Sequence, residues 1–213
     1  GYEHGAKVLE GPVPRWKLFG VPNAGNGGSG APYGLPRFEH AEFLSRFPFG
    51  CITLSDQDVP LAVEITGWSP FVPTEPDLSS LPVAGIEYKF INLSSAAIEA
   101  VFSFNSKNIM KVEKPSEWGG AYESGDAILA IANGYCMHQD GLEGKEFTRG
   151  DFAVFVDGDA AVIDHCWFRG GWFDSVTMTW KSIEEGQINE RPPIEGSTPG
   201  ASLFVPFQLA AKE

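Results

Sequence analysis

The sequence predicts an all-β fold with at most one or two short helices. The expected architecture is an antiparallel β-sandwich, either of ordinary form or supersandwich-like. Several short segments alternate apolar with polar residues, which is the pattern of half-buried strands. The 25 Gly and 16 Pro residues suit a chain of many strands joined by turns. With 213 residues, 43% hydrophobic and 13% aromatic, the chain is long enough for one domain with a sizeable core.

The alternation is clearest in three segments. In residues 61–66 one face carries Leu61, Val63 and Ile65, while Glu64 and Thr66 fall on the other. Residues 86–90 and 98–104 repeat the same period of two. Each segment is therefore predicted to be a strand with one buried face.

Short links join several of the predicted strands. The link 92–96 is short enough to make strands 86–90 and 98–104 an antiparallel hairpin. Asp157-Gly158-Asp159 resembles a fragment of a calcium loop but lacks the later acidic positions, so we interpret it as a hairpin turn. Further strand candidates are residues 126–133, 151–156, 160–167 and 201–209.

One segment has helical rather than strand spacing. Asp174 is its predicted N-cap and Gly186 its predicted stop. Large apolar residues recur there at intervals of 3, 4 and 3, namely Phe173, Val176, Trp180 and Ile183.

The domain organisation follows from a shift in composition. Residues 1–36 are Gly/Pro-rich and irregular, and residues 37–213 form the predicted β-sandwich domain. The glycine-rich stretch 23–30 has no strand before it, no helix after it and no Lys-Ser/Thr pair of a phosphate loop. We interpret it as a flexible loop and predict no cofactor.

The charge balance narrows the classes of partner. A formal net charge of −13 and a pI near 4.7 disfavour nucleic acid and anionic membrane surfaces, whereas neutral sugars carry no such penalty. The chain has no apolar run of about 20 residues and no signal-peptide pattern. It is therefore expected to be soluble, and its compartment stays open.

The cysteines and histidines fit no disulfide framework and no metal-ligand spacing. The three cysteines are expected to be buried, although one disulfide plus one free thiol stays open. Cys136-Met137-His138 and His165-Cys166 could supply ligands from two strands, but accidental proximity is the better interpretation, so no metal site is predicted. Asn92-Leu93-Ser94 matches the N-glycosylation sequon.

No catalytic residue is assigned. A glycosidase needs two carboxyl groups placed across a glycosidic bond, and no motif singles out such a pair among the 28 Asp and Glu residues. Asp56 and Asp58 lie in a turn before a strand. A GxSxG nucleophile elbow is absent as well.

Aromatic residues give the candidate contact sites. Residues 167–174 contain a dense Trp cluster in which Arg169 and Asp174 flank the turn closely enough to pair. Three interpretations stay open: a buried corner, a platform for a neighbouring domain, and sugar binding. The candidate residues for interdomain or sugar contact are Trp68, Arg169, Trp172, Phe173 and Asp174.

Two blocks carry a resemblance to a known family. Residues 47–95, with the sequence VPLAVEITGWSPFVP at their centre, and residues 166–186, CWFRGGWFDSVTMTWKSIEEG, resemble the N-terminal domain of glycoside hydrolase family 116. The strand GASLFVPFQL (200–209) is similar to one near the end of that domain. The family includes non-lysosomal glucosylceramidases and bacterial β-glucosidases.

The resemblance implies a β-sandwich followed by an (α/α)6 catalytic domain and a retaining mechanism with a Glu nucleophile and an Asp acid/base. Both catalytic residues belong to the helical domain and map to no position here. The chain is expected to be trimmed at both ends or to come from a divergent branch. The leading hypothesis is thus a non-catalytic domain that packs on the (α/α)6 domain, shapes its cleft and has an exposed apolar patch.

Two other functions stay open. The chain could be a stand-alone carbohydrate-binding module, with exposed aromatic platforms at Trp68, Trp118 and Trp172. It could also be an enzyme itself, which requires a carboxylate pair in an open cleft.

Overall fold

Strands dominate the fold, as the alternating pattern predicts. The computed structural model describes residues 5–14, 34–112, 125–158, 160–171 and 174–213, and these divide into two compact units. The strands within these ranges are β1 (His40–Arg46), β2 (Phe49–Ser55), β3 (Leu61–Trp68), β4 (Gly85–Asn92), β5 (Ile98–Lys107), β6 (Asp126–Ile131), β7 (Gly134–Gln139), β8 (Gly150–Phe155), β9 (Val162–Asp164) and β10 (Gly200–Leu209).

One unit comprises Ala6–Glu99 and Gln208–Glu213 and is built on a four-stranded antiparallel sheet in the order β1-β2-β3-β4. Alternation sends Leu54, Val63 and Ile65 to one face, where they are buried together with Phe38. The N-terminal segment covers this face, because Val8 bridges to Arg37 and Leu9 packs against the same core.

The other unit contains two three-stranded antiparallel sheets, in the orders β5-β10-β9 and β6-β7-β8. Ile128, Tyr135 and Met137 from the second sheet and Ala201 and Leu203 from the first form one buried cluster. Two sheets that face each other across a shared apolar layer are a β-sandwich. The predicted fold class is confirmed.

The helices are few and short, as expected. In the described residues the α-helices are α1 (Pro76–Ser79) and α2 (Ser175–Glu184), with a 3-10 turn at Glu146–Thr148. The side chain of Asp174 caps α2, and Gly186 follows its end with φ +70°, so both predicted helix signals are confirmed. In the described part of the chain, no helix has the length and apolar character required to cross a membrane.

The predicted hairpin of β4 and β5 is wrong. β4 pairs with β3, whereas β5 pairs with β10 in another sheet. The reason lies in the link, where Asn92 Nδ2 donates to the carbonyl oxygens of Ala96 and Ala210, both at 2.8 Å. Its Oδ1 accepts the backbone N–H of Ser94 at 2.9 Å. These bonds fix the link in a turn that leads out of the sheet.

The predicted hairpin turn at Asp157-Gly158-Asp159 is wrong too. It connects β8 with β9, and these strands belong to different sheets. Val154 before the turn and Ile163 after it pack against the same buried cluster. Apolar residues on both sides of the turn thus serve one core from opposite sheets, which a hairpin within a single sheet could not achieve. Asp159 lies outside the described residues.

Candidate interdomain surface

One end of the β1–β4 sheet carries a group of exposed apolar side chains. The strand register places Phe49 opposite Trp68, and Trp68 opposite Gly85. The connection after β3 returns Phe71 to the same place, where it meets the β1–β2 turn. We call this group the aromatic end; its members are Phe43, Phe47, Phe49, Trp68, Phe71 and Ile86.

Phe47 is the most exposed member of the aromatic end, with 76% of the residue exposed. It lies in the β1–β2 turn, and its peptide bond to Pro48 is cis. The rings of Phe47 and Phe71 meet edge to face, with centroids 4.8 Å apart and planes inclined by 72°. This is a favoured geometry for aromatic pairs. The two rings thus form one exposed apolar feature.

Trp68 depends on a glycine in the neighbouring strand. A Cβ atom added to Gly85 would lie 2.4 Å from Cε2 of Trp68. The indole therefore lies over the backbone of β4, while 44% of the residue stays exposed. On the opposite face, a Cβ atom at Gly50 would lie 3.3 Å from Cε2 of Phe43. Glycines thus allow aromatic rings to lie against the sheet on both of its faces.

The chemistry of the aromatic end suits contact rather than catalysis. Four phenylalanines, one tryptophan and one isoleucine offer dispersion and apolar burial but no acid, base or nucleophile. On the Trp68 face, Glu64 and Lys89 form an ion pair at 3.1 Å further along the strands. Clustered apolar side chains exposed in this way mark binding surfaces.

The Trp-rich corner is partly a support for the sandwich core. Trp167 is only 3% exposed, and its indole N–H donates to Ser202 Oγ at 2.7 Å. Gly200 is needed beside it, because a Cβ atom there would lie 2.6 Å from Cε3 of Trp167. The predicted contact residues Trp172 and Phe173 lie outside the described residues.

The predicted pairing of Arg169 with Asp174 is wrong. Arg169 Nη1 donates to the carbonyl oxygen of Ser197 at 3.4 Å. Asp174 instead caps α2: it accepts from the backbone N–H of Thr177 at 2.8 Å and from the Thr177 hydroxyl at 2.6 Å. These bonds, that of the hydroxyl foremost, lower the pKa of the Asp174 carboxyl. The orphan N–H groups of a helix start are the better partner for this carboxylate.

Three acidic residues lie close together beside the start of β1, and the sequence did not predict a site there. The contacts of Asp56 give this group a structural role. Glu39, Asp56 and Asp58 bring their carboxylates within 4.8 Å of one another. Asp56 is buried and forms an ion pair with Lys7. Burial raises the pKa of Asp56, but the hydrogen bonds from Lys7 and from the N–H groups of Asp58 and Glu39 outweigh it and hold the pKa low. The buried Asp56 carboxylate is thus paired and hydrogen-bonded from within the chain.

Sequence reasoning found only one member of the aromatic end as a contact candidate, Trp68. It missed the other five, namely Phe43, Phe47, Phe49, Phe71 and Ile86. A signal was available in FPF (47–49) and SPFVP (69–73), where prolines flank phenylalanines. Proline disfavours a regular ladder and favours turns. Large aromatic residues in such turns at one sheet end are poorly placed for burial in the sheet's own core.

Comparison with known families agrees with the sequence motifs. The family model described as beta-glucosidase 2, glycosyl-hydrolase family 116 N-term, matches residues 3–213. Among curated proteins no significant match is found.

Proposed function

The chain belongs to the N-terminal domain family of glycosyl-hydrolase family 116, and we propose that it is a non-catalytic domain that packs on a separate (α/α)6 catalytic domain. In that position it helps to shape the substrate cleft of the parent protein, a retaining β-glycosidase. The catalytic carboxylates belong to the partner domain, and this chain supplies a rigid aromatic surface.

The aromatic end is the observation that supports this proposal. Its six side chains lie at one end of a single sheet and stay 44–76% exposed, although full burial of an exposed large apolar side chain contributes about 1.5–3 kcal/mol. Aromatic residues are enriched where interfaces are most deeply buried. Phe47 and Phe71 contribute an exposed pair of rings, and Trp68 contributes the flat face of its indole. A catalytic domain that covers this end would bury the Phe47–Phe71 pair together with the indole of Trp68.

Amide hydrogen exchange tests the docking surface. Exchange is measured on this chain alone and on the same residues within the parent protein that joins it to its catalytic domain. We expect slower exchange in the parent at residues 43–50 and 68–72. Equal exchange rates at these residues in both proteins would overturn the proposal.

A double variant tests the contribution of Phe47 and Phe71 to activity. In the parent, F47S/F71S is expected to lower kcat/KM for an aryl β-glucoside at least tenfold, because hot-spot aromatics contribute roughly 2 kcal/mol or more. The control is F147S, which removes a phenylalanine that is 85% exposed in the other unit. An F47S/F71S parent with unchanged kcat/KM and unchanged thermal unfolding would contradict the proposal.

A second candidate function rests on Trp68 alone. Its indole is held against Gly85 and is exposed, and an aromatic ring held in this way can stack on a pyranose. This favours a carbohydrate-binding module. Titration with methyl β-glucoside and cellobiose, followed by tryptophan fluorescence, tests it with W68A as the control. Absence of binding at millimolar sugar would exclude this function.

A further inference from the structure

His138 lies between two carboxylates in the sheet of β6, β7 and β8. Its Nδ1 is 2.6 Å from Asp151 Oδ1, and its Nε2 is 3.0 Å from Asp140 Oδ1. Asp151 is the register partner of His138 on β8. Asp140 is the first residue after β7. The ring therefore connects two acidic residues that belong to different parts of the chain.

These two residues flank the connection between β7 and β8. Asp140 stands at its start, and Asp151 follows its end by two residues. Gly141 (φ +92°) and Gly144 (φ +71°) give the connection two left-handed positions, which glycine adopts without strain. Its 3-10 turn carries Phe147.

The connection is held internally by a small set of hydrogen bonds. The N–H of Leu142 donates to Thr148 Oγ1 at 3.1 Å, and the N–H of Lys145 donates to the carbonyl oxygen of Leu142 at 2.9 Å. The N–H of Thr148 donates to the carbonyl oxygen of Lys145 at 2.9 Å. These three amides report whether the connection is closed.

The protonation state of His138 decides how many of its two contacts can be hydrogen bonds. Carboxylates only accept, and a neutral imidazole has a single N–H, whereas an imidazolium has two. Both contacts therefore require the charged ring. The hydrogen bonds to Asp151 and then to Asp140 raise the pKa of His138, against the opposing effect of burial.

The surroundings supply few other ionisable groups among the described residues. On β6 the register partner of His138 is Ala127, which does not titrate. On β7 the neighbour on the same face is Cys136, whose Sγ is 3.8 Å from Asp151 Oδ1. Burial and the Asp151 carboxylate raise the pKa of this thiol, so its charged form is disfavoured beside the imidazole. Asp151 and Asp140 are thus the groups to which the ring responds.

We propose that His138 is a pH-sensitive clamp on the β7–β8 connection. When charged, the imidazolium ties both ends of the connection to β7. When neutral, it keeps its single N–H for Asp151, the shorter contact, and releases Asp140, which is the more exposed of the two carboxylates. The connection then opens around its two glycines and changes how Phe147 is presented.

Nuclear magnetic resonance on the whole chain tests the clamp. The ring nitrogens of His138 are titrated, and the exchange of the Leu142, Lys145 and Thr148 amides is measured at each pH and divided by the intrinsic chemical rate. We expect protection of the three amides to fall about two- to fivefold as His138 loses its proton, the size of a partly exposed ion-pair effect. The midpoints of the two titrations should coincide.

Two variants separate the clamp from general unfolding. In D140N the His138 midpoint should fall, and protection of the three amides should no longer change with pH. H138Q should give low protection at every pH. His40, in the other unit, is followed in the same spectra as a reference ring. The proposal is overturned if protection is independent of pH in the unaltered chain, or if D140N keeps the full pH dependence.

Discussion

The indole of Trp167 and the amide of Asn105 are joined through one buried hydroxyl, that of Ser202. Trp167 Nε1 donates to Ser202 Oγ at 2.7 Å, and this hydroxyl donates to Asn105 Oδ1 at 2.6 Å. The relay runs across the β5-β10-β9 sheet. It saturates a buried donor and an acceptor with a single small side chain.

Replacement of Ser202 by alanine should therefore lower the free energy of unfolding by about 1–3 kcal/mol, because the Trp167 N–H is left buried without an acceptor. Urea denaturation measures this value. The matched control is S45A on exposed β1, for which we expect a change below about 0.5 kcal/mol. Equal effects of the two substitutions would show that the relay contributes nothing.

Asn92 should not tolerate conversion to aspartate. The residue is 1% exposed, and its amide donates to two carbonyl oxygens. A carboxylate would face both oxygens without a proton to donate, so N92D should cost at least about 2 kcal/mol at pH 7. S95D adds the same charge at an exposed position of the same link and should change the free energy of unfolding little. The sequon at Asn92 is, for the same reason, no accessible glycan acceptor in the folded chain.

Gly85 and Trp68 should be energetically coupled. G85A places a methyl group in the space of the indole and should cost about 1–3 kcal/mol of unfolding free energy, as overpacking does. In a W68A background the same substitution should cost less than about 1 kcal/mol. G67A is the control, because its Cβ would lie 3.9 Å from the nearest atom, Gly50 O. A cost of G85A that is the same with and without Trp68 would rule out the coupling.

The cap of α2 should give a pH-dependent contribution to stability. The pKa of Asp174 is lowered in the folded chain, first by the Thr177 hydroxyl. Its stabilisation is therefore complete above the pKa of the unfolded chain and is lost as the pH falls through the folded pKa. D174A should cost about 1 kcal/mol at pH 7 and markedly less in acid. Urea denaturation of D174A and D174S at both pH values checks this, since serine keeps the cap without the charge.

Alternation predicted the strands whose outward residues are plainly polar. β3, β4 and β5 were found in this way, because Glu64, Glu87 and Glu99 interrupt the apolar residues. β7 was not found. Its inward residues include Gln139, which is fully buried and donates to Met110 O at 3.3 Å. A buried polar residue satisfied by a distant partner gives the sequence no apolar signal at that position.

The length of β9 was overestimated for a related reason. The predicted segment 160–167 shrinks to Val162–Asp164. Asp164 is buried and binds Arg191 Nη1 at 3.1 Å, while its Oδ1 accepts the N–H of Cys166. These bonds draw the chain out of the ladder after three residues. Partners that lie about 27 positions away leave no trace in the local pattern.

The same limit applies to the candidate surface. Trp68 is a candidate because aromatic faces stack on sugar rings, but the grouping of Phe47 with Phe71 depends on how the β3–β4 connection folds back. Local sequence gives the residues of such a surface, and only the register of the strands brings them together.

Asn92 also ties the first part of the chain to its last residues. It donates to Ala210 O through Nδ2, and its backbone N–H donates to Glu213 O at 2.6 Å. The unit that contains β1–β4 is therefore completed by Gln208–Glu213, more than a hundred positions later. Closure of so long a loop has a large entropic cost, which slows folding. During synthesis on the ribosome, the unit that contains β1–β4 therefore cannot be completed until Gln208–Glu213 have been added.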